Sequence, residues 1–163
     1  MKILMITILL SISLSLFAQK NLVGHYRDYF GSSIQLNLDN TFKYTWNFDL
    51  SASWTKGTWT LVGDTVYFKM VPTHDTLSQT NANGSTYDTL ILSVDETPER
   101  FTQTQFISTL LSSGGQNRMN YPDKLLFRKG RLYNIQNGKL VKKKQRSYWT
   151  NKKWDLWFFK SDD

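Results

Sequence analysis

The chain contains no cysteine, only three prolines and only two histidines in 163 residues. Without cysteine there is no disulfide framework, no thiolate nucleophile and no cysteine-ligated metal. Two histidines leave little material for imidazole chemistry or for a metal cluster. After residue 18 no apolar run approaches the roughly 20 residues that a spanning helix needs. Acidic residues become scarce toward the C-terminus. Lys20 to Asp123 holds 7 Lys/Arg against 10 Asp/Glu, whereas Lys124 to Asp163 holds 12 against 3. The excess of positive charge therefore belongs to the last quarter of the chain.

Met1-Lys2, the apolar run from Ile3 to Phe17 and the small residue Ala18 have the order of a secretory signal peptide, with cleavage expected after Ala18. No Cys follows the run, which excludes a cysteine lipid anchor. The expected mature chain, residues 19–163, suits one domain, with no membrane span left after cleavage. Export without disulfides favours the periplasm or exterior of a bacterium. Behind such a leader the basic C-terminus fits anionic glycan or lipid headgroups better than nucleic acid. A solvated outer sheet face is the plainer alternative.

The organising stretch runs from Ile34 to Met70. Leu36, Leu38, Phe42, Tyr44, Trp46 and Phe48 occupy even positions and Asn37, Thr41, Lys43, Thr45 and Asn47 odd ones. That period of two marks strands with one aromatic face. We read three strands here, with Asp39-Asn40 as a candidate turn and Gly63-Asp64 as another. A first strand is expected over Leu22 to Phe30. Asp49 to Lys56 reads as a polar loop carrying Trp54, and Pro72 to Thr86 as a long polar loop. Tyr87 to Val94 reads as a strand with Leu90, Leu92 and Val94 on one face.

Phe101 to Leu111 has the spacing of a short helix, with Thr97-Pro98-Glu99-Arg100 as its start. Leu125 to Phe127 and Leu132 to Ile135 read as strands, and Asn137-Gly138 as a type I′ hairpin turn. The chain closes on Ser147 to Lys160, apolar on both faces around Trp157, Phe158 and Phe159, and pairing near the N-terminal strand would cover it. About eight to ten strands with at most one short helix predict an all-β fold, an antiparallel up-and-down β-barrel.

Three motifs carry a resemblance. Leu22-Val23-Gly24-His25-Tyr26, Leu36-Asn37-Leu38-Asp39-Asn40-Thr41-Phe42 and Gly57-Thr58-Trp59-Thr60-Leu61-Val62-Gly63-Asp64-Thr65-Val66 resemble small exported lipocalin-like domains of Bacteroidetes-type bacteria. The likeness covers Leu22 to Met70, with Asn40 where that frame usually has Gly. It implies a lipocalin-like barrel and, in an open end of it, a small apolar or amphipathic ligand.

Catalytic constellations are thin. His74, Asp75 and Ser78 lie within five positions, and His25 could join His74 and Asp75 around a metal, but three polar residues in a short segment recur by chance. Asp95, Glu96 and Glu99 read as a solvated turn. We therefore expect no enzyme and no cofactor. Six tryptophans are the conspicuous excess. In a barrel that holds a ligand, Tyr44, Trp46, Trp54, Trp59 and Phe68 would line the cavity. A second reading is an envelope interaction module. Its surface would be Lys142, Lys143, Lys144, Arg146, Lys152 and Lys153, which flank Tyr148 and Trp149. A third is an enzyme inhibitor presenting Pro72 to Thr86.

Overall fold

The computed structural model describes residues 21–110 and 114–161. The expected signal peptide and the predicted helix end at Leu111 lie outside these residues. Five strands follow one another at the start: β1 (Gly24–Arg27), β2 (Ser32–Leu36), β3 (Thr41–Phe48), β4 (Ser51–Val62) and β5 (Thr65–Met70). An excursion then supplies β6 (His74–Thr80), β7 (Thr86–Leu92), β8 (Arg100–Thr102) and a helix, α1 (Gln103–Leu110). The chain returns through β9 (Lys124–Arg128) and β10 (Arg131–Gln136). Short strands β11 (Lys139–Leu140), β12 (Gln145–Arg146) and β13 (Lys153–Trp154) precede the last, β14 (Trp157–Lys160).

Eight antiparallel strands close into a barrel in the order β14-β1-β2-β3-β4-β5-β9-β10, with β10 paired back onto β14. Neighbours in sequence are neighbours in the wall, apart from the two places where the chain leaves and returns. Closure removes both sheet edges, the usual weak point of an antiparallel sheet. Even residues of β3 and odd residues of β4 face inward. Leu22, Tyr26, Ile34, Leu36, Phe42, Tyr44, Trp59, Val66, Phe68, Leu125, Leu132 and Phe158 form one buried cluster.

One end of the barrel is closed by tight turns. Asn40 (φ 63°) allows the β2–β3 turn, and Asp39 accepts the Thr41 N–H at 2.9 Å. Gly63 (φ 58°) turns β4 into β5, and Lys129-Gly130 (φ 51° and 72°) turns β9 into β10 as a type I′ pair. The other end carries the β1–β2 and β3–β4 turns and both excursions. Residues 71–123 leave after β5 and return to β9, and residues 137–156 leave after β10 and return to β14. Asn137-Gly138 has φ of 52° and 71° and forms the expected hairpin, with Gln136 opposite Lys139.

Several expectations change. Ile34 to Met70 holds four strands, because Asn37 to Asn40 is a turn and Leu38 stands 71% exposed on it. The first strand stops at Arg27, where Asp28 takes the N–H groups of Phe30 and Ser32, both at 2.8 Å, and bends the chain. Asp49 to Lys56 is not a loop: Phe48 pairs with Ser51 across Asp49-Leu50, and β4 runs for 12 residues. Ser53 and Thr55 are buried on its inner face and Trp54 on its outer one, so small polar residues occupy core positions and break the apolar signal without breaking the ladder. Pro72 to Thr86 is likewise largely strand. β6 pairs with β7 through an Asn81–Ser85 turn and with β8 in parallel, making a separate three-stranded sheet. Polar strands of this kind lack the alternation that marks a half-buried sheet.

The helix forms, but starts later than expected. Thr102 accepts the Gln105 N–H at 3.4 Å, while the Gln105 side chain accepts the Thr102 N–H at 2.9 Å. That is a capping box, and Arg100 to Thr102 before it belongs to β8.

Candidate functional site

Of the five residues expected to line a cavity, Tyr44, Trp59 and Phe68 lie together in the buried cluster, and Trp46 packs against it toward the elaborated end. Trp59 is pinned by an Nε1 donation to the Asn37 carbonyl at 3.2 Å. Trp54 sits on the opposite face of β4. There it is only 9% exposed, its N–H donates to the Gly115 carbonyl at 3.2 Å, and its Nε1 donates to the Val94 carbonyl at 2.9 Å. Between Ile34, Phe42, Tyr44, Phe68, Tyr121 and Pro122 the interior leaves no space that a water molecule could enter. The rings fill the barrel they line.

Two openings lie on the outside of the wall, one of about 320 Å³ where Thr45, Asn47 and Trp54 face Val94, Glu96 and Gly115. The other, a groove of about 240 Å³, lies between Tyr67, Lys124, Leu126, Ile135 and Leu140, below the β10–β11 hairpin.

The six predicted basic residues are all exposed, on or just before the hairpin β12–β13. Strands of two residues each cannot hold such a hairpin alone. Trp154 stacks on Tyr29 at 4.2 Å with planes 22° apart, and Tyr148 lies 4.4 Å from Phe48 and edge-on to Phe30 at 6.1 Å. Lys152 sits 3.8 Å above the Trp154 ring, and Lys144 reaches Asp155 at 3.5 Å. Trp149 lies 5.9 Å from Phe48 with planes 16° apart, and its outer surface is 81% exposed. Tyr148 is 54% exposed and Leu50, at the tip of the β3–β4 hairpin, 80%. Two hairpins from distant parts of the chain thus meet at Phe48, each presenting a large apolar residue to solvent.

Phe30, Phe48 and Leu50 belong to this surface, and nothing in the sequence joined them to it. Even spacing identified Phe48 as aromatic-face, but not that this last residue of β3 meets the ring of Trp149. On the outer wall beside the hairpin, Arg27 lies 5.4 Å over Phe159 and Arg131 5.1 Å over Trp157. These stacked guanidiniums cover the second apolar face of β14, which pairs with β1 as expected.

Comparison with protein-family models, curated proteins and solved structures finds no match.

The surface offers exposed charge and apolar contact. Asp28, at the β1–β2 turn beneath it, has its carboxyl pushed above the ordinary range by burial, partly offset by the N–H groups of Phe30 and Ser32. Elsewhere, β6 puts His74 and Ser78 on one face and Asp75 on the other, so the three do not converge. Ser78 instead donates to Asp88 at 2.8 Å, which Arg100 also binds. His25, on β1, meets Ser161 at 2.8 Å. Among the described residues no three His, Asp or Glu side chains cluster as a metal site.

Proposed function

We propose that this protein is an exported, non-catalytic attachment module that docks the elaborated end of its barrel onto an anionic surface. One observation carries the reading: Trp149, exposed on a stack of rings, stands among Arg146, Lys152 and Lys153 with Lys142, Lys143 and Lys144 nearby. A ring held by its neighbours loses little freedom on binding, and exposed amines gain from an anionic partner. Retention on heparin-agarose tests it. The full-length chain should elute earlier as salt rises, because exposed charge is screened within about 8 Å at physiological ionic strength. Charge reversal at Arg146, Lys152 and Lys153 together should abolish retention. Retention indifferent to salt or to those changes would sink the reading.

A second reading keeps a small amphipathic ligand but moves it to the groove of Tyr67, Leu126, Ile135 and Leu140, where an apolar floor meets Lys124. Native mass spectrometry of freshly purified protein tests this, since a co-purified molecule near one-to-one is expected and a clean apo mass would count against it. The inhibitor reading loses its motive, because the segment it relied on is a paired hairpin.

A further inference from the structure

The two hairpin tips carry a more specific inference about the surface just described. We infer that the anionic partner is a phospholipid bilayer, and that Trp149 and Leu50 enter it below the headgroups while the surrounding amines stay at the phosphates. The inference rests on the docking reading above.

Leu50 decides between lipid and polysaccharide. A glycan site uses rings for stacking and polar groups for hydroxyls. An aliphatic tip that is 80% exposed offers neither. Hydrocarbon is the environment in which Leu gains free energy, and the interfacial zone is where Trp is enriched. Both tips project from the same end of the barrel, on turns whose neighbours Phe48 and Trp149 touch at 5.9 Å. Insertion therefore needs no rearrangement of the barrel.

The charge pattern agrees. Basic side chains close to an anionic leaflet each improve binding by about fivefold. Six exposed cations accompany these tips, one of them, Lys144, engaged with Asp155. A carboxylate opposes them: Asp49, exposed beside Leu50 in the same turn. Its position predicts that Asp49→Asn binds more tightly than the wild type.

Co-sedimentation with phosphatidylcholine vesicles, with and without phosphatidylglycerol, provides the test. Intrinsic fluorescence is followed on vesicles whose acyl chains carry bromine. The wild type should sediment with the anionic vesicles, and bromine should quench part of its emission. Trp149→Phe should still sediment but lose most of that quenching, because Trp149 is the strongly exposed tryptophan and the other five are buried or half-buried. Leu50→Asp should weaken binding by about tenfold or more, by losing an apolar anchor and adding a charge. These positions are exposed, so the variants should keep the wild-type thermal midpoint, which confirms that each is folded. Retention on heparin-agarose without vesicle binding would overturn the lipid inference and leave the docking reading standing. So would vesicle binding with no quenching assignable to Trp149. Failure on both heparin and vesicles would remove the two together.

Discussion

Asp75 shows how much a single buried residue can hold. Its Oδ1 accepts the Glu99 N–H at 2.9 Å and its Oδ2 the Val94 N–H at 3.2 Å, at a site only 1% exposed. One carboxylate thus satisfies two backbone donors where the second sheet joins the barrel. Asp75→Ala leaves both part-buried donors without this partner and should cost about 1–3 kcal/mol, read as a lower urea midpoint at unchanged slope. Tyr26 is the corresponding case inside the barrel. Its hydroxyl donates to the Leu22 carbonyl at 2.7 Å, and burial raises its pKa to about 12. A raised folded-state pKa means that stability is fully present below the unfolded tyrosine value and lost as pH rises through the folded one. The urea midpoint should therefore fall between about pH 10 and 12, and Tyr26→Phe should flatten that fall.

At the scale of elements, the turns set the architecture. Gly31 has φ of 88°, and a Cβ there would come within 2.1 Å of the Asn47 carbonyl oxygen. Gly31→Ala should therefore displace the β1–β2 turn from β3 and destabilise the fold by more than the roughly 1 kcal/mol of an ordinary glycine substitution. A thermal midpoint within a degree or two of wild type would contradict this. The β12–β13 hairpin behaves differently, because it is held by side chains from elsewhere. Trp154→Ala removes the stack on Tyr29 and the seat of Lys152. Amide exchange at Arg146 and Lys153 should accelerate in that variant while exchange in the barrel core stays unchanged.

Across the whole molecule, stability is expected to be uneven. The barrel wraps a continuous apolar cluster, whereas the sheet of β6, β7 and β8 buries mainly Leu77 and leaves Leu90 and Leu92 exposed. Few buried apolar contacts mean low local stability. Native-state hydrogen exchange should open β6 to β8 well before β3 and β4, and equal protection in both would refute the division. The same asymmetry separates roles: one barrel end is sealed by short turns, and both excursions build the other. Surfaces that bind are commonly assembled from connections held by a rigid scaffold.

The barrel was legible in the sequence. Alternation from Phe42 to Phe48 and from Gly57 to Met70, with turn chemistry at Asn40, Gly63 and Asn137-Gly138, fixes which residues face inward and where the chain reverses, since both are local properties of the backbone. The sequence also marked the basic residues and Trp149, because charge and ring size are visible without a fold. What it hid were pairings of polar strands. β6 and the first half of β4 look like loops until the sheet supplies hydrogen bonds that no period reports. Packing is what puts Trp54 outside the barrel, gathers Tyr44, Trp59 and Phe68 into its buried core, and brings Leu50 and Trp149 to one end. Those facts depend on contacts between separate segments, Trp54 with Val94 and, about a hundred positions apart, Phe48 with Trp149, and contact between segments leaves no trace in the spacing of either one.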